Sequence, residues 1–180
     1  MYLLFYFILF SNLVEYNGLF TRFHSAPKHK ILHSAILGFM PNVKLHHIVV
    51  MQPPSLINKN DAFAIDFTPL NQGSLITLLK LFFAINVPGE TRLRLVKNGG
   101  KMNDTEFIEA WHKNNPSDPV ESKIMSDQIY SSIQSKPMNE FMKQILHSVS
   151  TWDTNMNVYS HNCQHFAKYL SNEIEMQNIL

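Results

Sequence analysis

Residues 161–174 read HNCQHFAKYLSNEI, and the fold turns on how they are wound. As an α-helix, they place Cys163, Phe166, Ala167, Leu170 and Ile174 at i, i+3, i+4, i+7 and i+11, on one apolar face. Asn162 stands where an N-cap belongs, so Cys163 falls in the first turn and faces the core. An anion is favoured there by the free N–H groups and the positive end of the helix dipole, which lowers a thiol's pKa. The same N–H groups can receive the oxyanion formed when a thiolate attacks a carbonyl. Against this stands the ordinary habit of free cysteines, which are mostly buried and inert.

Working outward, the residues that could serve Cys163 lie far upstream. Residues 43–52 (VKLHHIVVMQ) are rich in β-branched and apolar side chains and stop at Pro53 and Pro54, which predicts a strand. His46 and His47 lie in it. Adjacent strand residues point to opposite faces, so in a regular strand only one of them faces the cysteine. Residues 62–67 (AFAIDF) predict a second strand, paired with the first as a hairpin or as a sheet neighbour. A carboxylate in that apolar run, Asp66, is costly unless paired. It would either accept a hydrogen bond from an imidazole, as the third member of a triad does, or meet Arg92 or Arg94. A histidine beside Cys163 would take the thiol proton and later return it to a leaving group.

The remaining chain alternates between element types. Residues 74–85 (SLITLLKLFFAI) are apolar on nearly every side, which predicts a buried helix capped by Asn71 or Ser74 and ended by Val87, Pro88 and Gly89. Residues 91–97 (TRLRLVK) have the period of a half-exposed strand. Helices are expected from Asp104 to Trp111, weakly over 119–133, and over 137–149, where Met138, Phe141, Met142, Ile145 and Val149 keep helical spacing. Residues 157–160 predict a short extended piece. The expected class is α+β, a small antiparallel sheet packed against helices.

Histidine on a strand, a polar residue on the next strand and cysteine at a late helix start: this order resembles the circularly permuted branch of the papain-like thiol enzymes. NCQHF, residues 162–166, is similar to the Asn-Cys-Glu-His-Phe motif of the lecithin:retinol acyltransferase-like (NlpC-type) family. His46 to Val50 resembles that family's histidine strand. Ala64 to Pro69 resembles its second element, with Asp66 where the family commonly has histidine. VYSHNCQHFAKYL also looks like the signature of permuted desumoylating-type isopeptidases, with Tyr159 and the 137–149 helix in place, although Gln164 departs from the expected Asn. Residues 70–135 match neither family. The resemblance implies a thiolate nucleophile and an acyl-enzyme resolved by water or an acceptor. Carried over, Cys163 is the nucleophile, His46 the base with His47 its rival, and Asp66 the group that orients the imidazole. His165 is read as structural, and His161 as a residue bordering the site.

The first fourteen residues, MYLLFYFILFSNLV, carry no charge. Residues 2–10 are short for a bilayer span but fit the apolar core of a secretory signal, although a basic n-region is missing. An uncleaved membrane anchor and a buried first helix are the other readings. No acidic residue lies between Glu15 and Asp61, and residues 1–60 hold five basic and one acidic side chain against ten and thirteen in the rest. A two-part organelle leader has this form, and so does a signal followed by a basic linker. The expected division is a leader over 1–17, a basic linker or transit segment over 18–40, and a papain-like domain over 41–180. The expected compartment is the secretory pathway or an organelle reached through it, with membrane or lipid contact through the leader or the substrate.

Composition sets the outer bounds. The chain has 180 residues, 45% hydrophobic and 16% charged, enough to build a core in one domain. A net charge of +1 gives no electrostatic case for nucleic acid. One cysteine excludes an internal disulfide, a Cys-x-x-Cys pair and a cysteine-rich zinc site. A metal site from His161, Cys163 and His165 with His46 or His47 is disfavoured, because i, i+2 and i+4 on a helix do not converge. The expectation is therefore no metal and no cofactor, and a thiol hydrolase or acyltransferase acting on an ester or amide of an acyl or peptide-like substrate. The alternatives are an isopeptidase, or a non-catalytic binding or scaffold protein on a degenerate papain-like fold.

Overall fold

The strand built from Lys44–Gln52 (β2) has apolar side chains on both faces, and both faces are covered. The computed structural model describes residues 28–35, 44–52, 60–113, 126–131 and 140–177. Five antiparallel strands stand in chain order across one sheet: β1 (Lys28–Ala35), β2, β3 (Ala62–Pro69), β4 (Val87–Val96) and the two-residue β5 (Asn155–Met156). Helices α1 (Leu75–Phe82), α2 (Asp104–Lys113), α3 (126–131), α4 (Glu140–Thr151) and α5 (Cys163–Gln177) complete an α+β fold.

Val49 and Met51 of β2 point into the larger core, with Phe63, Ile65 and Phe67 of β3 and the inner faces of α4 and α5. Ile48 and Val50 point the other way, against Ala62, Ala64, Phe107 and Trp111. The sheet is thus a middle layer between α4/α5 and α2. The central strands β2 and β3 read as largely apolar runs because they are buried on both sides. Phe166, Ala167, Leu170 and Ile174 are buried, and the 15-residue α5 follows the expected face. Helix α2 begins with a reciprocal cap absent from the sequence reading: Asn103 Oδ1 accepts the Glu106 N–H at 3.0 Å, and Glu106 Oε2 accepts the Asn103 N–H at 3.1 Å.

Three expectations are corrected. Residues 28–35 fall within the stretch expected as linker, yet they form edge strand β1, in register with β2 from Lys28↔Gln52 to Ser34↔His46. Their mixed composition hid the strand, since an edge strand exposes one side and carries lysines there without penalty. The rest of the expected linker and the expected leader lie outside the described residues. Helix α1 is not buried: Leu75 is 70% exposed, Ile76 67% and Phe83 66%. An all-apolar helix is a statement about composition, and among the described residues no second layer covers this one. It ends at Ala84 (φ 58°), where the Ile85 N–H returns to the Lys80 carbonyl at 2.8 Å. Val87, Pro88 and Gly89, expected as its stop, already belong to β4. Finally, β4 is not half-exposed. Arg92 and Arg94 are both buried, and the polar half of its alternation points to a filled interior. Among the described residues, no helix is long and apolar enough to cross a membrane.

Candidate active site

The site forms where the start of α5 meets the start of β2. Asn162 holds the helix end rigidly: its Oδ1 accepts the Gln164 N–H at 2.9 Å, the His165 N–H at 3.2 Å and a hydrogen bond from the His165 ring at 2.9 Å. Its Nδ2 donates to the Val158 carbonyl at 2.6 Å. The N-cap expectation for Asn162 is met. The same cap takes the N–H groups of Gln164 and His165, two of those at the helix end. Cys163 is buried, with 9% of its surface exposed.

Cys163 Sγ lies 4.0 Å from His47 Nδ1. That is long for a firm hydrogen bond, and His46 exerts the stronger pull on the thiol. Burial pushes the Cys163 thiol up, but hydrogen bonding and charge from His46, and then from His47, bring it down to about 6. Burial likewise disfavours the charged form of His46. Asp66 and the Cys163 thiolate outweigh that and raise His46 to about 9. Between those values the pair rests as thiolate and imidazolium. Both adjacent histidines serve one sulfur, contrary to the alternation of a regular strand. The register slips between Ser34 and Ala35, opposite His46, so the sheet is irregular beside the histidine pair.

His46 Nε2 and Asp66 Oδ2 are 3.0 Å apart and nearly solvent-free. Burial penalises the Asp66 carboxylate, but Arg94 and His46 hold it below the usual carboxylate range. The two roles weighed for Asp66 are therefore both filled, since Arg94 Nη2 stands 3.8 Å from Oδ1. Arg92 instead binds Glu90 at 2.6 Å.

Several neighbours have no local signature in the sequence. The Trp111 ring stacks on His46 at 5.7 Å, and the Arg94 guanidinium lies 4.7 Å over Trp111. The His33 ring meets His47 edge-on at 4.5 Å. Ser34 Oγ lies 3.0 Å from His112 Nε2. Recognition of β1 as a strand would have placed His33 and Ser34 across from the histidine pair. His161 does not reach the thiol in this way: it stacks on Trp152 at 4.3 Å and its Nε2 donates to the Asp153 carbonyl at 2.8 Å. His165 is exposed and tied to Asn162. Among the described residues, no group of three His, Cys, Asp or Glu side chains is placed to hold a metal ion.

A buried thiolate–imidazolium pair backed by a carboxylate can attack a carbonyl and protonate a leaving group. No protein-family model, no curated protein and no solved structure matches this chain.

Proposed function

We propose that the protein is a thiol hydrolase or acyltransferase acting on an ester or amide through an acyl-enzyme on Cys163, on a circularly permuted papain-like fold. The observation that carries this reading is the Cys163–His46–Asp66 array, with the thiol lowered to about 6 and Nε2 to Oδ2 at 3.0 Å.

In this reading the Cys163 thiolate attacks the carbonyl carbon and forms a C–S bond. His47, within 4.0 Å of the sulfur, donates a hydrogen bond to the carbonyl oxygen as charge gathers there. Collapse of the adduct breaks the bond to the alcohol or amine, which leaves with the proton of the His46 imidazolium. Neutral His46 then takes a proton from water or an acceptor hydroxyl, whose oxygen attacks the thioester, and the thiolate is released. Asp66 fixes the His46 tautomer throughout.

The test is an activated acyl ester incubated with the full chain, with the acyl-enzyme caught by intact mass. One acyl group per chain is expected, absent in Cys163→Ala and absent after base treatment that cleaves thioesters. Acylation that persists in Cys163→Ala, or a wild-type thiol that ionises near the ordinary value of about 8.5, would overturn the reading.

A further inference from the structure

Four buried side chains close into a circuit around one carboxylate. His46 meets Asp66 Oδ2 at 3.0 Å, Asp66 Oδ1 faces Arg94 Nη2 at 3.8 Å, Arg94 lies 4.7 Å over the Trp111 ring, and Trp111 stacks back on His46 at 5.7 Å. The Arg94 contact with Asp66 is too long for a hydrogen bond. Among the described residues, Asp66 Oδ1, both Arg94 Nη atoms and Trp111 Nε1 have no hydrogen-bond partner. Buried polar atoms left in that state are costly, and a core built only for stability would fill the space with apolar side chains. The guanidinium lies over the Trp111 ring in a buried cation–π contact, which places its charge beside Asp66.

Resting on the reading of Cys163 as nucleophile, we infer that Arg94 is a positioning residue: clamped on Trp111, it keeps the Asp66 carboxylate turned with Oδ1 toward itself and Oδ2 onto His46. The groups around the His46–Asp66 pair are Ser34 from β1, Arg92 and Arg94 from β4, which act on Asp66, Trp111 and His112 from α2, and Cys163 from α5. His112 is pushed toward its neutral form by burial and then by the charges of His46 and Arg94. Asp66 is thus the carboxylate that balances His46, and Arg94 is the strongest of the charges that keep it ionised. Without Arg94, burial drives Asp66 toward its acid form, its hold on the His46 proton weakens, and the thiolate loses its counter-ion.

The experiment is the pH profile of Cys163 alkylation by iodoacetamide in the full chain, beside circular dichroism of each variant. Arg94→Met should move the profile alkaline by about one unit, which is about a tenfold slower reaction on the acid limb and no change on the alkaline plateau. Arg94→Lys should recover part of the shift, since it restores the charge without the stacking. In the Asp66→Asn background, Arg94→Met should add no further shift, because the carboxylate it acts on is gone. If Arg94→Met alone fails to fold, Arg94→Lys decides the matter: a partial alkaline shift supports the inference and a wild-type profile overturns it. A folded Arg94→Met with the wild-type profile, or an equal shift with and without Asp66, would overturn the inference. A profile that ignores His46→Ala would instead overturn the nucleophile reading beneath it.

Discussion

His47 Nδ1 stands 4.0 Å from Cys163 Sγ, although His46, its neighbour in the strand, is the histidine paired with a carboxylate. The two rings therefore have unequal holds on one thiol. His46 is backed by Asp66 and raised to about 9, so it remains an imidazolium across the neutral range. The expected consequence is a larger effect of His46 removal. In iodoacetamide kinetics, wild-type Cys163 should titrate at about 6. His46→Ala should carry that value most of the way to about 8.5, and His47→Ala should move it less. A larger shift from His47→Ala would reverse the assignment of roles.

Stability should follow pH in a defined way. His46 is raised in the folded state, so its contribution is complete below the unfolded value of about 6.5 and is lost as pH rises through about 9. Cys163 is lowered, so its contribution is present above its unfolded value of about 8.5 and is lost as pH falls through about 6. Both describe one ion pair, which exists between the two folded-state values. The two slopes oppose and largely cancel between about 6.5 and about 8.5, so urea unfolding should show a broad maximum there and a decline as pH rises toward about 9. His46→Gln should flatten that alkaline limb. An unchanged limb in His46→Gln would remove His46 from the linkage.

Asp66 is nine-tenths and more buried between His46 and Arg94, and its removal leaves two cations without their carboxylate. Breaking a buried pair from one side costs about 3–5 kcal/mol. Asp66→Asn should lower the urea midpoint by a corresponding amount, while Asp66→Asn combined with Arg94→Met should recover part of the loss. An Asp66→Asn protein as stable as wild type would mean that water reaches the pair.

Much of this site is legible in sequence, and its gaps have physical causes. Helix α5 is readable because its apolar face repeats at 3.6 residues and Asn162 marks its start. Strands β2 and β3 are readable because β-branched runs end at prolines. Strand β1 is hidden because an edge strand needs only one apolar side, and with it went His33 and Ser34. Trp111 escaped because the stacking of α2 against the sheet is a long-range contact with no local signature. Alternation puts Arg92 and Arg94 on one side of β4 but does not say whether that side faces water or another layer.

The same limit explains α1. Its residues suggest a buried helix, yet the side chains of Leu75, Ile76 and Phe83 are mostly in solvent. Substitutions there should behave as surface changes. Ile76→Ser should alter stability by no more than about 0.5 kcal/mol, whereas Phe166→Ala, in the core beneath the sheet, should cost about 3–5 kcal/mol. Denaturation of the two variants side by side checks this. A core-sized loss from Ile76→Ser would show that the helix is covered in solution.

Asn162 offers the sharpest separation between holding the site and taking part in it. Its Oδ1 occupies the N–H groups of Gln164 and His165, next to the sulfur. Asn162→Ala removes the cap, which should cost about 1 kcal/mol of stability. It also returns those N–H groups to whatever anion stands at the helix start, and the Cys163 thiolate is the nearest candidate. The thiol should therefore ionise at a pH no higher than in wild type while the protein unfolds more easily. A lost cap would ordinarily be expected to loosen the site and slow its chemistry, so the two measurements are expected to move in opposite directions. If alkylation instead slows in step with stability, Asn162 holds Cys163 against the histidines, and geometry rather than the helix dipole governs the thiolate.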